Sequence, residues 1–270
     1  MSLAEDLTIV IKTFDRPHLL RNLMRSLRRF YPDLPVVIVD DGRKQAFTAP
    51  PDDLVKLVPA ALDIGVSAGR NLGVAHVETP FTFVMDDDFA FLPISRLEDL
   101  LRPVKELGFG ICGSRMINFG THEICYHGIF ERHAGHLRML NGHDRGTRDG
   151  LARLDYCHNV LCAPTDLLRR HPWDDRLKVH EHWDFFYRLR TAANVDVTIV
   201  PETGFAHFPV RHAGYKRFRN TRDHLEDLAL RNCGLTSVKL IGETAKPAGL
   251  GKLRLSLIKR FYGAYFRLVS

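Results

Sequence analysis

The chain has 270 residues, 45% of them hydrophobic and 26% charged, which is the composition of an ordinary globular protein with a sizeable core. No run approaches the eighteen or so apolar residues of a membrane span, and the five scattered cysteines lack the CxxC pairs of a structural zinc site. The net charge of +6 favours an anionic partner.

The first hundred residues alternate short apolar strands with helices. Strands are predicted at 7–11, 36–39, 54–58 and 81–85, and helices at 17–31, 72–77 and 95–107. Continuous apolar strands of this kind are typical of a parallel sheet that is buried on both faces. The pattern therefore predicts an α/β fold with a mostly parallel central sheet flanked by helices.

The second half is less regular. We expect a hairpin at 128–140, helices at 166–170 and 180–189, and two separate extended segments at 195–200 and 205–209. The division that follows is a single domain made of two halves, 1–105 and 106–220, with a C-terminal helical extension at 221–270.

Acidic residues follow three of the predicted strands. Asp15 and Asp41 come after the first two, and a run of three aspartates, 86–88, ends the strand at 81–85. Ligands of parallel α/β sheets bind at the carboxyl ends of the strands, so these acids should share one crevice. Three adjacent carboxylates repel one another unless a cation is near, and Mg²⁺ or Mn²⁺ prefers oxygen ligands. The alternative is an acidic turn without a ligand.

A family resemblance rests on several short motifs: Ile11-Lys-Thr-Phe14, Arg28-Arg-Phe-Tyr-Pro32, Ala68-Gly-Arg-Asn-Leu72 and Asp86-Asp-Asp-Phe89. Together they resemble the GT-A fold of the inverting family 2 glycosyltransferases, and within it the β-1,4-N-acetylgalactosaminyltransferase catalytic domain. The resemblance is dense over the first hundred residues and thinner to about residue 210.

The resemblance implies a donor site for a UDP-sugar in residues 1–105 and an acceptor site in 106–220. The acids 86–88 would form a DxD-type motif, in which the first acid meets the ribose and the last meets a Mn²⁺ or Mg²⁺ ion. The residues implied in nucleotide-sugar binding are Thr13, Asp15, Asp41, Arg70, Asp86 and Asp87. The residues implied as metal ligands are Asp88 and His207.

Inverting transfer needs one base beside the acceptor hydroxyl. The acidic candidates in the second half are Glu181, Asp184, Asp174 and Asp175. We select Glu181, because related enzymes carry their acid at this place before a helix, and we expect a structural role for Asp184. The neighbours that would contact the acceptor are His180, His182 and Trp183.

The expected reaction moves GalNAc or another N-acetylhexosamine from UDP to a hydroxyl of a glycan or glycolipid acceptor. Two other classes stay open: a nucleotidyltransferase acting on a sugar phosphate, and a non-enzymatic module that binds nucleic acid or membrane. The first is disfavoured because the turn after the first strand, 13–17, lacks glycine. The second leaves the clustered aspartates unexplained, so we expect no nucleic-acid partner.

Location is predicted from the two ends of the chain. The first residues lack the basic and apolar segments of a secretory signal, which favours the cytoplasm. Residues 250–269 are basic and carry apolar side chains at three- to four-residue steps. This pattern predicts a helix that lies on the anionic surface of the inner face of a membrane. A helix docked on protein is the alternative.

Overall fold

The structure, a computed structural model, describes residues 2–43, 52–118, 126–208 and 224–242. Its helices are α1 (Leu3–Asp6), α2 (Pro17–Phe30), α3 (Val66–Ala75), α4 (Leu97–Lys105), α5 (Thr165–Arg170), α6 (Glu181–Ala193) and α7 (His224–Asn232). Its strands are β1 (Leu7–Thr13), β2 (Val36–Asp40), β3 (Val55–Pro59), β4 (Phe81–Asp86), β5 (Phe89–Ala90), β6 (Ile111–Asn118), β7 (Gly128–His133), β8 (His136–Asn141), β9 (Thr147–Arg148), β10 (Leu151–Ala152), β11 (Leu161–Pro164), β12 (Val197–His207) and β13 (Ser237–Ile241).

Eight of the strands in these ranges form one central sheet in the order β3-β2-β1-β4-β11-β6-β12-β5. Four neighbouring strands, β3, β2, β1 and β4, run parallel to one another. Strands β6 and β12 also pair in parallel. Strand β11 runs antiparallel to both of its neighbours, and β5 runs antiparallel to β12. The predicted α/β fold with a mostly parallel sheet is therefore confirmed, with two antiparallel strands added in its second half.

Both faces of the central sheet are buried. In β1, Val10 packs into one core, while Ile9 and Ile11 pack into the other. Helices α2 and α4 cover the second core, and α3, α5, α6 and α7 cover the first. Because successive strand residues point to opposite faces, this double burial explains why β1 is apolar throughout rather than alternating.

Helix α3 starts earlier than predicted. The predicted start at residue 72 was wrong, because the helix begins at Val66, directly after Gly65, which turns the chain with φ 95°. A Cβ on Gly69 would meet Lys12 Cγ at 2.6 Å, and one on Gly73 would meet Val10 Cγ1 at 2.4 Å. These glycines allow close packing of the helix on β1, so they mark contact rather than a break.

Strand β12 replaces the two extended segments that were expected at 195–200 and 205–209. It runs unbroken beside β6, and its register shifts between Val200 and Gly204. Pro201 lies in this irregular stretch, where a residue without an N–H does not interrupt the ladder. The shift carries the strand on to His207.

A smaller sheet in the order β13-β8-β7 includes the hairpin predicted at 128–140, which is confirmed. A two-stranded hairpin joins β9 to β10. Of the helices in the described ranges, none has the length and apolar character needed to cross a membrane. The predicted amphipathic helix at 250–269 lies outside the described residues.

Candidate active site

Three parallel strands bring polar residues to one edge of the sheet. The register places Thr13 of β1 beside Asp40 of β2, and Lys12 of β1 beside Asp86 of β4. Since the carboxyl ends of parallel strands lie at the same edge, the acidic turns after β1, β2 and β4 face one crevice. The structure thus brings together the acids that the sequence placed at separate strand ends.

The aspartates that follow β4 point to different partners. Asp87 is buried, and it accepts a hydrogen bond of 2.6 Å from the Thr13 hydroxyl and one of 3.1 Å from Arg16 Nε. Asp88 Oδ2 accepts from Arg16 Nη1 at 3.1 Å. Arg16 is therefore the cation that two of the three acids share.

The charge of this run depends on its arginines. Burial raises the pKa of Asp87 to about 7. The negative charges of Asp88 and Asp86 also raise this pKa, whereas Arg16 and the Thr13 hydroxyl lower it. Burial acts to raise the pKa of Asp86, but the charge and hydrogen bond of Arg70, together with Arg16 and His207, hold this pKa below its ordinary value. Arg70 therefore favours the ionised form of Asp86.

Arg70 joins the acidic run to the second half of the chain. Its Nη2 donates to Asp86 Oδ1 at 2.8 Å, and its Nη1 donates to Glu181 Oε1 at 3.2 Å. The side chain is 2% exposed and lies over the Trp173 ring at 5.7 Å. Both terminal nitrogens thus bind carboxylates here, and the expected contact of Arg70 with the donor stays a prediction.

Glu181 is the first residue of α6, where the helix dipole favours a negative charge. His180 precedes it in a left-handed conformation with φ 65°, which turns the chain sharply into the helix. Asn159 Nδ2 lies 3.4 Å from Glu181 Oε1, on the same oxygen that Arg70 contacts. The Glu181 side chain is 12% exposed and is held from two sides.

The other acidic candidates have different surroundings. Asp184 is fully buried, and it bonds Arg188 Nε at 2.8 Å and Cys233 Sγ at 3.5 Å. Asp174 pairs with Arg176 at 2.6 Å. Asp175 accepts from the Asn71 amide at 2.6 Å. None of these contacts involves the acidic run after β4, whereas Glu181 shares Arg70 with Asp86.

His207 lies at the end of β12, between Phe89 of β5 and Asn118 of β6. Its ring stacks on Phe89 with centroids 4.7 Å apart, and its Nδ1 contacts Asn118 Oδ1. An amide oxygen can only accept, so Nδ1 donates to it and Nε2 is the ring nitrogen that faces Asp88. Nε2 lies 3.7 Å from Asp88 Oδ2. A histidine that binds a metal through Nε2 needs this arrangement, in which Nδ1 donates to a neighbouring group.

The remaining nucleotide-side residues lie at the ends of β1 and β2. Asp41 is fully buried, with Lys12 Nζ at 2.5 Å and the Gly65 N–H at 3.1 Å. Asp15 has φ 51°, and its Oδ1 accepts from the Arg43 N–H at 2.7 Å. The Asp41 carboxylate is thus already bonded, whereas the Asp15 side chain is 34% exposed and faces the crevice edge.

The aromatic residues around Glu181 are more buried than an acceptor surface would be. Trp183 is 7% exposed and packs in the core. His182 Nε2 bonds the Cys157 carbonyl at 2.7 Å, and burial lowers the pKa of His182 to about 4, so it is neutral. Their predicted contacts with an acceptor stay predictions, and His180 acts here in the turn before α6.

Four site residues were missed from the sequence: Lys12, Arg16, Asn118 and Asn159. Lys12 had a signal, because it is a cation inside an otherwise apolar strand. Arg16 had a weaker one, because it follows Asp15 in the strand-to-helix turn. The two asparagines had none, since only the sheet and the start of α6 bring them to the site.

Comparisons with known proteins agree with this geometry. Residues 8–170 match the sequence profile described as glycosyl transferase family 2. Human β-1,4 N-acetylgalactosaminyltransferase 1 is 32% identical over 204 residues, 71% of this chain and 38% of that protein. Mouse β-1,4 N-acetylgalactosaminyltransferase 2 is 29% identical over 180 residues, 66% of this chain and 35% of that protein. The chain thus spans little more than a third of these relatives.

Solved structures give the fold independently of sequence. Crystal structures of S. aureus TarS 1–349, alone and in complex with UDP, each superimpose with a TM-score of 0.55 at 16% and 15% identity. The matches cover 75% and 79% of this chain and 60% and 63% of those chains. The family profile covers more than half of this chain, which favours a glycosyltransferase over a nucleotidyltransferase or a binding module. The chain therefore belongs to glycosyl transferase family 2 and adopts the GT-A fold.

Proposed function

We propose that this protein transfers GalNAc or another N-acetylhexosamine from a UDP donor to a glycan or glycolipid hydroxyl, with inversion at the sugar carbon. One observation carries the proposal. Arg70 bonds Asp86 on the donor edge and Glu181 at the start of α6, so the acidic run and a carboxylate base belong to one constellation. The relatives named β-1,4 N-acetylgalactosaminyltransferases support the choice of sugar.

The donor would lie along the ends of β1, β2 and β4. Asp41 and Asp15 would accept hydrogen bonds from the uracil and ribose, with Thr13 beside them, and Asp41 would have to exchange its present bond to Lys12 or to the Gly65 N–H to do so. Asp86 would meet the ribose, as its position at the end of β4 and its low pKa favour. A solved structure of the same fold, S. aureus TarS 1–349, is a complex with UDP, which supports a UDP donor.

The fit to a divalent cation rests on Asp88 and His207. Nε2 of His207 lies 3.7 Å from Asp88 Oδ2, and the contact of Nδ1 with Asn118 orients the ring in this direction. Among the described residues, no three His, Cys, Asp or Glu side chains group closely enough to hold a metal by themselves. Mn²⁺ or Mg²⁺ would therefore use these two ligands with diphosphate and water oxygens, and would offset the charge that develops on the leaving group.

Glu181 would act as the base. As the acceptor oxygen bonds to the sugar carbon, the bond from that carbon to the diphosphate oxygen breaks and the hydroxyl proton passes to Glu181. Arg70 Nη1 donates to this carboxylate and holds it at the N-terminus of α6. Attack from the side opposite the diphosphate gives inversion.

A thermal-shift panel of UDP, UDP-GalNAc, UDP-GlcNAc, UDP-galactose and UDP-glucose, with Mn²⁺ or with EDTA, tests the proposal. We expect stabilisation by UDP-sugars that needs Mn²⁺, strongest for an N-acetylhexosamine. Asp88→Asn should remove the Mn²⁺ dependence. Glu181→Gln should bind UDP-GalNAc as the wild type does but lose turnover. No shift with any UDP compound would reject the proposal, and turnover by Glu181→Gln would reject Glu181 as the base.

We also propose that the basic segment 250–269 binds an anionic membrane surface on the cytoplasmic side. The support is its sequence alone: five cations, at 252, 254, 259, 260 and 267, and no acid between 252 and 270. Co-sedimentation with vesicles of phosphatidylcholine, with and without phosphatidylglycerol, tests this. Binding that needs the anionic lipid and disappears when residues 250–270 are removed supports the proposal. Binding that survives the truncation rejects it.

A further inference from the structure

The two oxygens of Glu181 have different surroundings. Arg70 Nη1 and Asn159 Nδ2 both point to Oε1, at 3.2 Å and 3.4 Å. In the part of the chain that the structure describes, no donor contacts Oε2. The carboxylate is thus fixed through one oxygen, and the other keeps its lone pairs for a ligand.

The Asn159 side chain shows the same division. Its amide nitrogen points to Glu181, while its Oδ1 is buried and has no hydrogen-bond partner among the described residues. A buried amide oxygen without a partner costs free energy, and native structures rarely keep one without a reason. A hydrogen-bond acceptor without a partner, beside the Glu181 carboxylate, indicates that a hydrogen-bonding N–H or O–H group arrives with the substrate.

We propose that Asn159 is a positioning residue for the base: with Arg70 it holds Glu181 Oε1, so that Oε2 takes the proton of the attacking hydroxyl. Its own Oδ1 accepts a hydrogen bond from the second hydrogen of an attacking water, or from the neighbouring hydroxyl of a sugar acceptor. The inference rests on the proposed function, because it assigns the atoms of that same base.

The assignment has a consequence for the acceptor. A sugar hydroxyl has one hydrogen, and that hydrogen passes to Glu181 Oε2, so Asn159 Oδ1 needs a second O–H close by. Two neighbouring hydroxyls on one ring supply both. The structure therefore favours an acceptor in which the hydroxyl that attacks has a free hydroxyl next to it.

The Asn159→Asp variant tests the contact directly. It keeps the shape of the side chain but replaces the amide donor by a second carboxylate beside Oε1. The charged and titratable groups around Glu181 are Arg70, with Asp86 behind it, the Tyr126 phenol and the adjacent His182. Only the Asn159 side chain changes, so the pKa of Glu181 should rise by about one unit or more.

The pKa is measured without substrate, by carbon NMR of protein labelled at the glutamate carboxyl carbons. Glu181→Gln identifies the Glu181 signal by its loss. Asn194→Asp is the matched control, because Asn194 is exposed at the far end of α6, about 20 Å from Glu181. We expect the pKa of Glu181 to be raised in Asn159→Asp and unchanged in the control. Equal Glu181 titrations in all three proteins would overturn the inference.

Turnover of UDP-GalNAc with water as the acceptor separates positioning from folding. Asn159→Ala should lower kcat by about tenfold and leave KM for UDP-GalNAc and Kd for UDP within about twofold. Loss of UDP binding in both Asn159 variants, with binding intact in Asn194→Asp, would show a structural residue and reject the inference. A wild type that binds no UDP would reject the proposed function itself.

Discussion

Arg70 and Glu181 are 111 residues apart in the chain, yet Nη1 of one lies 3.2 Å from Oε1 of the other. The same guanidinium bonds Asp86, so one buried side chain links the end of β4 to the start of α6. A planar group with several donors can bridge two carboxylates in a fixed geometry, which a single ammonium cannot do. The site is therefore set by Arg70 more than by either acid.

Replacing Arg70 by Lys should damage both stability and catalysis. The ammonium can reach one carboxylate but not both, so either Asp86 or Glu181 is left without its partner. We expect a loss of about 2–4 kcal/mol in the free energy of unfolding by urea, and a fall in kcat of about a hundredfold. Arg176→Lys, in an exposed pair with Asp174, is the control and should change neither. Full activity in Arg70→Lys would contradict the bridging role.

Arg16→Gln should make the protein depend on a divalent cation. Without Arg16, the buried Asp87 carboxylate loses its cation and Asp88 becomes free to bind metal. We expect a loss of about 3 kcal/mol in EDTA, and a larger rise in Tm on adding Mn²⁺ than the wild type shows. In the double variant Arg16→Gln/Asp88→Asn the Mn²⁺ effect should vanish. Equal Mn²⁺ effects in wild type and Arg16→Gln would show that Arg16 and metal do not compete.

Asp184→Asn should separate structure from catalysis on α6. Asp184 is fully buried and bonded to Arg188, and burial raises its pKa against that partner. Loss of its charge leaves Arg188 with a weaker partner, so we expect a loss of about 2 kcal/mol in the free energy of unfolding. The kcat for UDP-GalNAc turnover should stay within about twofold. A hundredfold loss of kcat with normal stability would instead make Asp184 a candidate base.

His182→Gln should reduce the acid sensitivity of the fold. The pKa of His182 is lowered to about 4 by burial, while the unfolded chain has its ordinary value of 6.5. Between pH 6.5 and 4 the unfolded state therefore binds a proton that the folded state does not, so His182 destabilises the protein as the pH falls through this window and has no such effect above it.

The lowered pKa of His182 should make the free energy of unfolding about 2–3 kcal/mol smaller at pH 4 than at pH 7. Gln retains a donor for the Cys157 carbonyl but does not titrate. The difference in unfolding free energy between pH 7 and pH 4.5 should therefore be smaller in His182→Gln than in the wild type. His133→Gln, at an exposed position, should behave like the wild type. Identical pH dependence in all three proteins would contradict the lowered pKa.

Sequence alone determined the fold class and the acidic strand ends, whereas the role of Glu181 as the base stays a prediction. The apolar runs at β1, β2 and β4 are continuous because both of their faces are buried, and this pattern is readable without coordinates. The acids follow these runs directly, so their place at one edge of a parallel sheet was predictable. The start of α3 was not, because Gly69 looks like a break until its contact with Lys12 is known.

Only the tertiary structure decided which cations pair with these acids. Arg16 and Lys12 pair with Asp87 and Asp41 because neighbouring strands bring them within reach, and short-range pattern does not encode that approach. Asn159 meets Glu181 only through the packing of α6 against the sheet, so it left no trace in local sequence. Strand periodicity depends on neighbours two residues apart, whereas ion pairs depend on distances in space. For that reason the sequence predicted the acids, and only the structure showed what holds them.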